Sequence, residues 1–244
     1  MSRLFYAAWL LCAAVAASAG ARAQASPTQN RVEANGGVEL RLRLAWPHPQ
    51  THLATPAVAW LEPLAGTPSA PFVSNERYTL LQKNRTFVPH LLVVPVGSVV
   101  AFPNADPFFH NVFSLFDGKR FDLGLYEAGS SKSVSFSREG VSYIFCNIHP
   151  EMSAVVLSLS TSLYAVANGK DAFSLSGLAP GDYKLHLWIE GVPPAVLASL
   201  TQQIHLGTNT VDLGPIAVPA TDAKTQTHTN KFGKPYTPDS KSIY

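Results

Sequence analysis

Apolar and polar residues alternate along most of this chain in short runs, and helical periodicity is hard to find. The runs are rich in Val, Leu, Phe, Tyr and Thr, and Gly, Pro, Asn or Asp separates one from the next. Such alternation between turn residues predicts β-strands and an all-β sandwich or barrel. The predicted strands are Val38–Ala45, Ala57–Glu62, Tyr78–Gln82, Leu91–Val96, Ser98–Pro103, Asn111–Ser114, Ser131–Phe136, Val141–Cys146, Ser153–Ser160, Asp171–Leu175, Gly181–Trp188, Gln203–Leu206 and Val211–Val218.

Both ends of the chain differ from this pattern. Arg3, the apolar run from Leu4 to Ala17 and the small-residue site Ala21-Arg22-Ala23 predict a signal peptide over residues 1–23. The run is shorter than the roughly 20 residues of a membrane-spanning helix, so we expect no membrane span in the mature chain. Residues 220–244 are rich in Thr, Lys, Asn, Ser and Pro, which predicts a flexible tail.

Charge and cysteine content narrow the range of functions that the chain can be expected to have. Loss of Arg3 and Arg22 with the signal peptide would leave 16 basic against 16 acidic residues, a net charge near zero. No cluster of Lys and Arg indicates a nucleic-acid surface. Cys12 lies in the signal peptide, so the exported chain keeps Cys146 alone and has no internal disulfide.

The lone thiol lies in Cys146-Asn-Ile-His149-Pro-Glu-Met152, directly after a predicted strand. His110 lies 36 residues upstream, in Asn104-Ala-Asp-Pro-Phe-Phe-His110-Asn111. Two imidazoles and a thiolate with a weak axial thioether form the ligand set of a blue-copper electron-transfer site. The sequence therefore predicts one mononuclear copper ion held by His110, Cys146, His149 and Met152.

Other interpretations of the same residues fit less well. A structural zinc site prefers four Cys or His ligands, and binuclear copper needs a second loop cysteine. Multicopper oxidases need H-x-H and H-C-H motifs, which the sequence lacks. A catalytic dyad of Cys146 and His149 has no evident orienting acid, and a buried inert cysteine remains the simplest alternative.

The segment from Phe87-Val-Pro89 to Met152 resembles a cupredoxin of the plastocyanin/azurin type. The resemblance rests on the F-x-P strand entry, Val96-Gly97-Ser98, His110-Asn111-Val112 and the loop of Cys146, His149 and Met152. The short loop with Pro150 after its histidine is amicyanin-like, as in periplasmic relatives labelled methylamine utilization proteins. We expect a Greek-key cupredoxin domain over residues 68–161.

The resemblance implies particular atoms and roles. His110 Nδ1, Cys146 Sγ and His149 Nδ1 would form a trigonal plane, with Met152 Sδ axial. Asn111 would tie one ligand loop to the other. His149 would present its ring edge through an apolar patch, the electron port, for which Pro107, Phe108, Phe109 and Pro150 are candidates. Glu151 puts a charge where the family often has an apolar residue, and His90 is expected to be structural.

The flanks, residues 34–67 and 162–219, contain no candidate ligand cluster. Apolar alternation on both sides of Pro180-Gly181 predicts a β-hairpin. With the strand that ends at Leu61, this hairpin resembles transthyretin-like modules of the carboxypeptidase regulatory type. We expect a discontinuous second sandwich of residues 34–67 plus 162–219 with the cupredoxin inserted, because two isolated strands have nothing to pack on. A cupredoxin followed by an independent β-domain is the alternative.

The expected function is that of a periplasmic copper protein that carries single electrons and is not an enzyme. Its expected partners are periplasmic redox proteins, either a dehydrogenase or a cytochrome c. Storage or delivery of copper without redox traffic is the alternative, and a copper oxidase or reductase is the least favoured.

Overall fold

The computed structural model of the protein describes residues 37–47, 55–68, 72–73, 77–115, 118–220 and 229–236. The predicted signal peptide, residues 1–23, lies outside these ranges. The described ranges contain strands and one short helix, which confirms the all-β class, and none of their helices is long and apolar enough to cross a membrane. The elements are β1 (Val38–Ala45), β2 (Ala57–Pro63), β3 (Tyr78–Thr79), β4 (Leu81–Lys83), β5 (Thr86–Val88), β6 (Leu91–Pro95), β7 (Ser98–Pro103), β8 (His110–Ser114), β9 (Phe121–Tyr126), β10 (Ser131–Phe136), β11 (Gly140–Phe145), β12 (Ser153–Leu159), β13 (Tyr164–Val166), β14 (Ala172–Leu178), β15 (Gly181–Ile189), α1 (Pro194–Ser199), β16 (Gln202–Leu206) and β17 (Val211–Ala217).

Strands β3 to β12 form what we call the central sandwich. One sheet has the order β6-β12-β11-β8-β9 and the other the order β10-β7-β3, with the hairpin β4–β5 beside them. Their inward side chains form one apolar core, which includes Phe102, Val112, Phe136 and Ile144. Cys146 and Met152 belong to this core, so the predicted metal ligands lie where the sandwich is densely packed.

The other strands form what we call the flanking sandwich, with sheets β14-β1-β17 and β13-β2-β15-β16. Strand β1 pairs with β14 and β17, and β2 pairs with β13 and β15. The chain therefore passes through the central sandwich between the second and third strands of the flanking one. The resemblance of this sandwich to transthyretin-like modules stays a prediction.

Strand β12 is covered on both faces, which explains its nearly continuous apolar sequence. Ala154 and Val156 point into the central core. Val155, Leu157 and Leu159 pack instead with Val58 and Trp188 of the flanking sandwich. A third apolar cluster thus joins the two sandwiches and completes the burial of the strand that follows the metal loop.

The predicted strands match the observed ones in most of the chain. The turn predicted at Pro95-Val96-Gly97-Ser98 is present, with Gly97 at a φ of +91° that favours glycine. Strands β5, β9 and β13 and helix α1 were not predicted, and the predicted strand Tyr78–Gln82 is divided between β3 and β4. Strand β9 contains Asp122 and Gly124, the latter at a φ of +65°, and these residues have the pattern of a turn.

Candidate metal centre

Three predicted ligands converge at one end of the central sandwich. His110 is the first residue of β8, Cys146 directly follows β11, and His149 lies in the loop before β12. Because β8 pairs with β11 through Phe113 and Phe145, residues 36 positions apart become neighbours. Cys146 Sγ lies 3.8 Å from His110 Nδ1 and 3.6 Å from His149 Nδ1. The donor atoms of the three residues all lie within 4.8 Å of one another, and such a group can hold a metal ion.

The loop of residues 146–152, which we call the metal loop, is held by its own backbone. The Cys146 amide donates to the Met152 carbonyl at 3.2 Å, and the Met152 amide donates to the His149 carbonyl at 3.1 Å. The Met152 side chain is fully buried in the same core as Cys146. The role of Met152 as axial ligand stays a prediction.

Asp106 is a functional residue that the sequence analysis missed. Its Oδ2 accepts a hydrogen bond from His110 Nε2 at 2.8 Å, and both residues are buried. The proton on Nε2 leaves the Nδ1 lone pair facing Cys146, so Asp106 sets the tautomer that a metal ligand needs. An acid four residues before a ligand histidine was the available signal.

The same carboxylate also anchors the β4–β5 hairpin. Asp106 Oδ1 accepts from the Asn84 amide at 2.6 Å and Oδ2 from the Arg85 amide at 3.0 Å. Burial acts to raise the pKa of Asp106, but the hydrogen bonds from Arg85, His110 and Asn84 lower it below its ordinary value. Asp106 is therefore a carboxylate at neutral pH and acts as the acceptor for all three donors.

His149 is the more accessible of the two histidines. Its pKa is lowered, first by burial and then by the charges of His110 and Arg85, which keeps the ring neutral and able to bind metal. The Phe108 ring packs against both histidine rings, with centroids 5.2 Å from His110 and 5.7 Å from His149. His149 is half-buried as a residue, whereas His110 is fully buried.

Most of the residues predicted for the apolar patch are exposed. Pro107 and Pro150 are exposed, Phe108 is half-buried, and Phe109 is 51% exposed. Glu151 is also exposed. Phe108 contacts the His149 ring and precedes Phe109, and Pro150 follows His149, so these residues form an apolar rim beside His149.

The prediction that Asn111 ties the two ligand loops together by a direct hydrogen bond is wrong. Its side-chain amide donates to Asp122 Oδ1 at 2.7 Å, on β9, and not to the metal loop. The reason is the pairing of β8 with β9, which places Asp122 within reach. Asp122 Oδ2 in turn accepts from Lys231 Nζ at 2.8 Å, so the connection to the metal loop runs through the C-terminal segment.

Part of the predicted flexible tail contacts the metal loop. The Lys231 amide donates to Asn147 Oδ1 at 3.0 Å, and the Tyr236 hydroxyl donates to the Cys146 carbonyl at 2.8 Å. Burial first, and the charge of Cys146 second, raise the pKa of Tyr236, so its hydroxyl remains a donor. Residues 229–236 thus make defined contacts, and the flexibility expected of residues 220–244 stays a prediction; residues 221–228 and 237–244 lie outside the described ranges.

His90 has the structural role expected of it. Its Nδ1 lies 3.1 Å from the Ser153 carbonyl, and its Nε2 lies 2.7 Å from Glu190 Oε1. Ser153 begins β12 and Glu190 follows β15, so His90 joins the central sandwich to the flanking one. Both ring nitrogens are engaged, which leaves none for a metal.

Comparisons with known proteins found similarity among solved structures only; no family model and no curated protein matches the chain. A purple cupredoxin from Nitrosopumilus maritimus is 26% identical, with 33% of this chain and 96% of that one covered and a TM-score of 0.30. A mutant of amicyanin in its reduced Cu(I) form is 22% identical, with 38% and 96% covered and a TM-score of 0.33. A copper-containing nitrite reductase from Thermus scotoductus SA-01 is 23% identical, with 40% and 25% covered and a TM-score of 0.33, so the match spans a quarter of that enzyme. At these TM-scores the fold assignment rests on the strand topology and the ligand cluster described above: a two-sheet β-sandwich with His110, Cys146 and His149 together at one end, as the cupredoxin resemblance implied.

Proposed function

We propose that this protein is a periplasmic type 1, or blue, copper protein that carries single electrons between redox partners. The observation that carries the proposal is the approach of one buried thiol to the Nδ1 atoms of two histidines, at 3.8 and 3.6 Å, on loops held by β-strands. A site built on strands keeps its ligand positions in the absence of metal. Such a site suits an ion that changes charge but must move little.

The donor chemistry fits copper. A thiolate and two neutral imidazoles select copper or zinc over magnesium, calcium or manganese, and the thioether of Met152 favours copper. A structural zinc site would take a fourth Cys or His, and the described residues form only the three-membered cluster. When bound, the copper ion supplies a one-electron couple between Cu(II) and Cu(I).

The residues of the chain prepare the site and the electron route. Asp106 holds the His110 ring in the tautomer whose Nδ1 faces Cys146. The two backbone hydrogen bonds of the metal loop fix Cys146 relative to Met152. The exposed part of His149, within the rim of Phe109 and Pro150, offers electrons a path to a docked protein without a substrate pocket.

The proposed partners are periplasmic redox proteins, a dehydrogenase or a cytochrome c. Electron-transfer encounters use small, transient interfaces, and the apolar rim around His149 has the character of such a surface. Exposed Glu151 lies beside it and would favour a partner with a basic surface.

A copper titration tests the proposal. Purified protein given one equivalent of Cu(II) should develop intense visible colour from charge transfer between Cys146 and copper, lose it on reduction, and regain it on reoxidation with the copper retained. Cys146→Ser should abolish the colour entirely. His205→Gln, which replaces an exposed histidine of the flanking sandwich, is the matched control and should stay coloured. A wild-type protein that binds only Cu(I) and stays colourless would overturn the electron-carrier proposal in favour of copper storage or delivery.

A further inference from the structure

The C-terminal segment of residues 229–236, which we call the strap, contacts both sides of the metal centre. We propose that the strap positions the metal ligands, with Lys231 and Tyr236 as its positioning residues, and that it slows the exchange of bound copper. The proposal rests on the copper site proposed above and deepens it, because it identifies what controls the opening of that site.

The strap has a structure of its own before it reaches the site. Asn230 Oδ1 accepts from the amides of Phe232 and Lys234 at 3.0 and 3.1 Å. The Gly233 amide donates to the Asn230 carbonyl at 2.9 Å, and Gly233 has a φ of +73°. An asparagine that binds the backbone amides after it is a turn-forming device, so the segment presents Lys231 from a defined turn.

The strap completes the backbone hydrogen bonding of the metal loop. The ladder between β11 and β12 ends at Phe145 and Ser153, so the Cys146 carbonyl lies beyond it. The Cys146 amide is satisfied by Met152, and its carbonyl accepts from Tyr236 at 2.8 Å. A backbone carbonyl in a buried position needs a hydrogen-bond donor. Tyr236 supplies that donor and thereby fixes the peptide plane that follows Cys146.

Lys231 joins this loop to the strand pair that holds the other ligand. Its amide donates to Asn147 Oδ1, next to Cys146, while its ammonium lies 2.8 Å from Asp122 Oδ2. Asp122 Oδ1 accepts from Asn111, the neighbour of His110. The Lys231 side chain is 25% exposed and the Asp122 side chain 40%, so this pair is partly shielded from solvent. The chain of contacts from Asn111 to Asn147 therefore spans the site and passes through one residue of the strap.

In this proposal, copper leaves when the metal loop moves away from His110. Groups that orient metal ligands typically change metal affinity by about 10- to 100-fold when they are removed. The strap adds a contact on each side of the site, and both must break when the loop opens. We therefore expect its loss to show in the rate of copper release and in the spectrum of the site.

The test uses single substitutions in the full-length mature protein. Tyr236→Phe removes the hydroxyl that reaches Cys146, and Lys231→Met removes the ammonium that reaches Asp122. Tyr183→Phe is the control for the first, because the Tyr183 hydroxyl also donates to a backbone carbonyl, that of Ala179, at 2.8 Å but in the flanking sandwich. Lys234→Met is the control for the second, since it makes the same change of charge on an exposed residue of the strap.

Two measurements give the answer. In the copper-loaded protein, both strap variants should release copper to a chelator about tenfold faster than wild type and shift the charge-transfer band, while both controls match wild type. In the metal-free protein, the amides of Cys146 and Met152 should exchange with solvent about fivefold faster in Tyr236→Phe. Strap variants that match their controls in both measurements would overturn the proposal. A wild-type protein without a copper site would overturn the proposed function, and the amide exchange would still decide whether the strap holds the loop.

Discussion

The two sandwiches are built from the same kind of strands but treat polar groups in opposite ways. Among the described residues, and with Tyr and Trp set aside, every buried polar or charged side chain belongs to residues 82–161, in and next to the central sandwich; the set includes Gln82, Asn104, Asp106, His110 and Asn111. The flanking sandwich leaves its histidines at least partly exposed, with His186 stacked on Trp60 and His205 paired with exposed Asp182. Burial of a polar group costs free energy unless it is hydrogen-bonded, so a protein keeps such groups where they serve a site.

Several buried polar side chains of the central sandwich are hydrogen-bonded near the metal ligands, whereas the hydroxyls of Ser98, Ser114 and Ser158 have no hydrogen-bond partner among the described residues. Asn104 donates to the Phe108 carbonyl at 2.8 Å and accepts from the Asp106 amide at 3.0 Å, which shapes the loop before His110. Gln82 donates to the Phe102 carbonyl at 3.1 Å and to the Tyr126 hydroxyl. The core of the flanking sandwich is thus mainly apolar, whereas the central sandwich has hydrogen-bonded polar side chains next to the predicted ligand His110.

Truncation of a buried apolar side chain in the core of the flanking sandwich should have the largest effect on the free energy of unfolding and no effect on the copper site. Leu185 is fully buried there, and Leu185→Ala should lower the free energy of unfolding by about 2–5 kcal/mol because it leaves a cavity. Chemical denaturation gives this value, and the copper colour of the folded protein should match wild type. A changed colour at full folding would show that the core of the flanking sandwich is coupled to the metal centre.

Replacement of one carboxylate in each sandwich compares the effect of a buried acid, Asp106, with that of an exposed one, Asp182. Asp106→Asn should cost about 1–3 kcal/mol of stability and weaken copper binding by about 10- to 100-fold, since Nε2 of His110 loses a charged acceptor. Asp182→Asn, at the exposed pair with His205, should stay within about 0.5 kcal/mol of wild type. Copper competition titrations measure the copper affinity, and chemical denaturation measures the free energy of unfolding. Equal effects of Asp106→Asn and Asp182→Asn would contradict the difference between the two sandwiches in how they use polar side chains.

The pair of His90 and Glu190 joins the sandwiches and should give a small pH dependence. The hydrogen bond to Glu190 is the main cause that raises the pKa of His90 above 6.5, against the lowering effect of burial. A raised pKa means that protonated His90 stabilises the fold below pH 6.5 and that this contribution is lost as the pH rises through the folded-state pKa.

The size of this effect is limited by solvent, because the His90 side chain is 41% exposed. We expect less than about 1 kcal/mol. Denaturation of wild type and His90→Gln across neutral pH measures it, and the variant should lose the slope. A slope that persists in the variant would assign the pH dependence to another group.

Much of the site followed from local sequence. Cys146, His149 and Met152 are close along the chain, and period-two alternation placed β11 and β12 on either side of them, so their loop was predictable. His110 was predictable from ligand chemistry, since the single thiol needed imidazole partners. The turn at Gly97 also followed from local preference.

Other features depend on contacts between distant segments, and no short pattern encodes them. Strand β9 exists because β8 offers it an edge, despite Asp122 and Gly124 in its sequence. The bond from Asn111 to Asp122 depends on that pairing, and the strap depends on Asn147 and Cys146 lying 84 and 90 residues before its contacting residues. Sequence composition indicated a flexible end because it measures the absence of apolar residues and cannot register hydrogen bonds to a remote loop.

By itself, the sequence determined the all-β class, the alternation that separates inward from outward side chains, and the residue types able to bind copper. These properties are local, because side-chain chemistry and strand periodicity need only neighbouring residues. Tertiary structure decided which groups orient the ligands: Asp106 behind His110, Tyr236 on the Cys146 carbonyl, and Lys231 between Asn147 and Asp122. Hydrogen bonds act only over about 3 Å, so they depend on how the folded chain brings distant residues together.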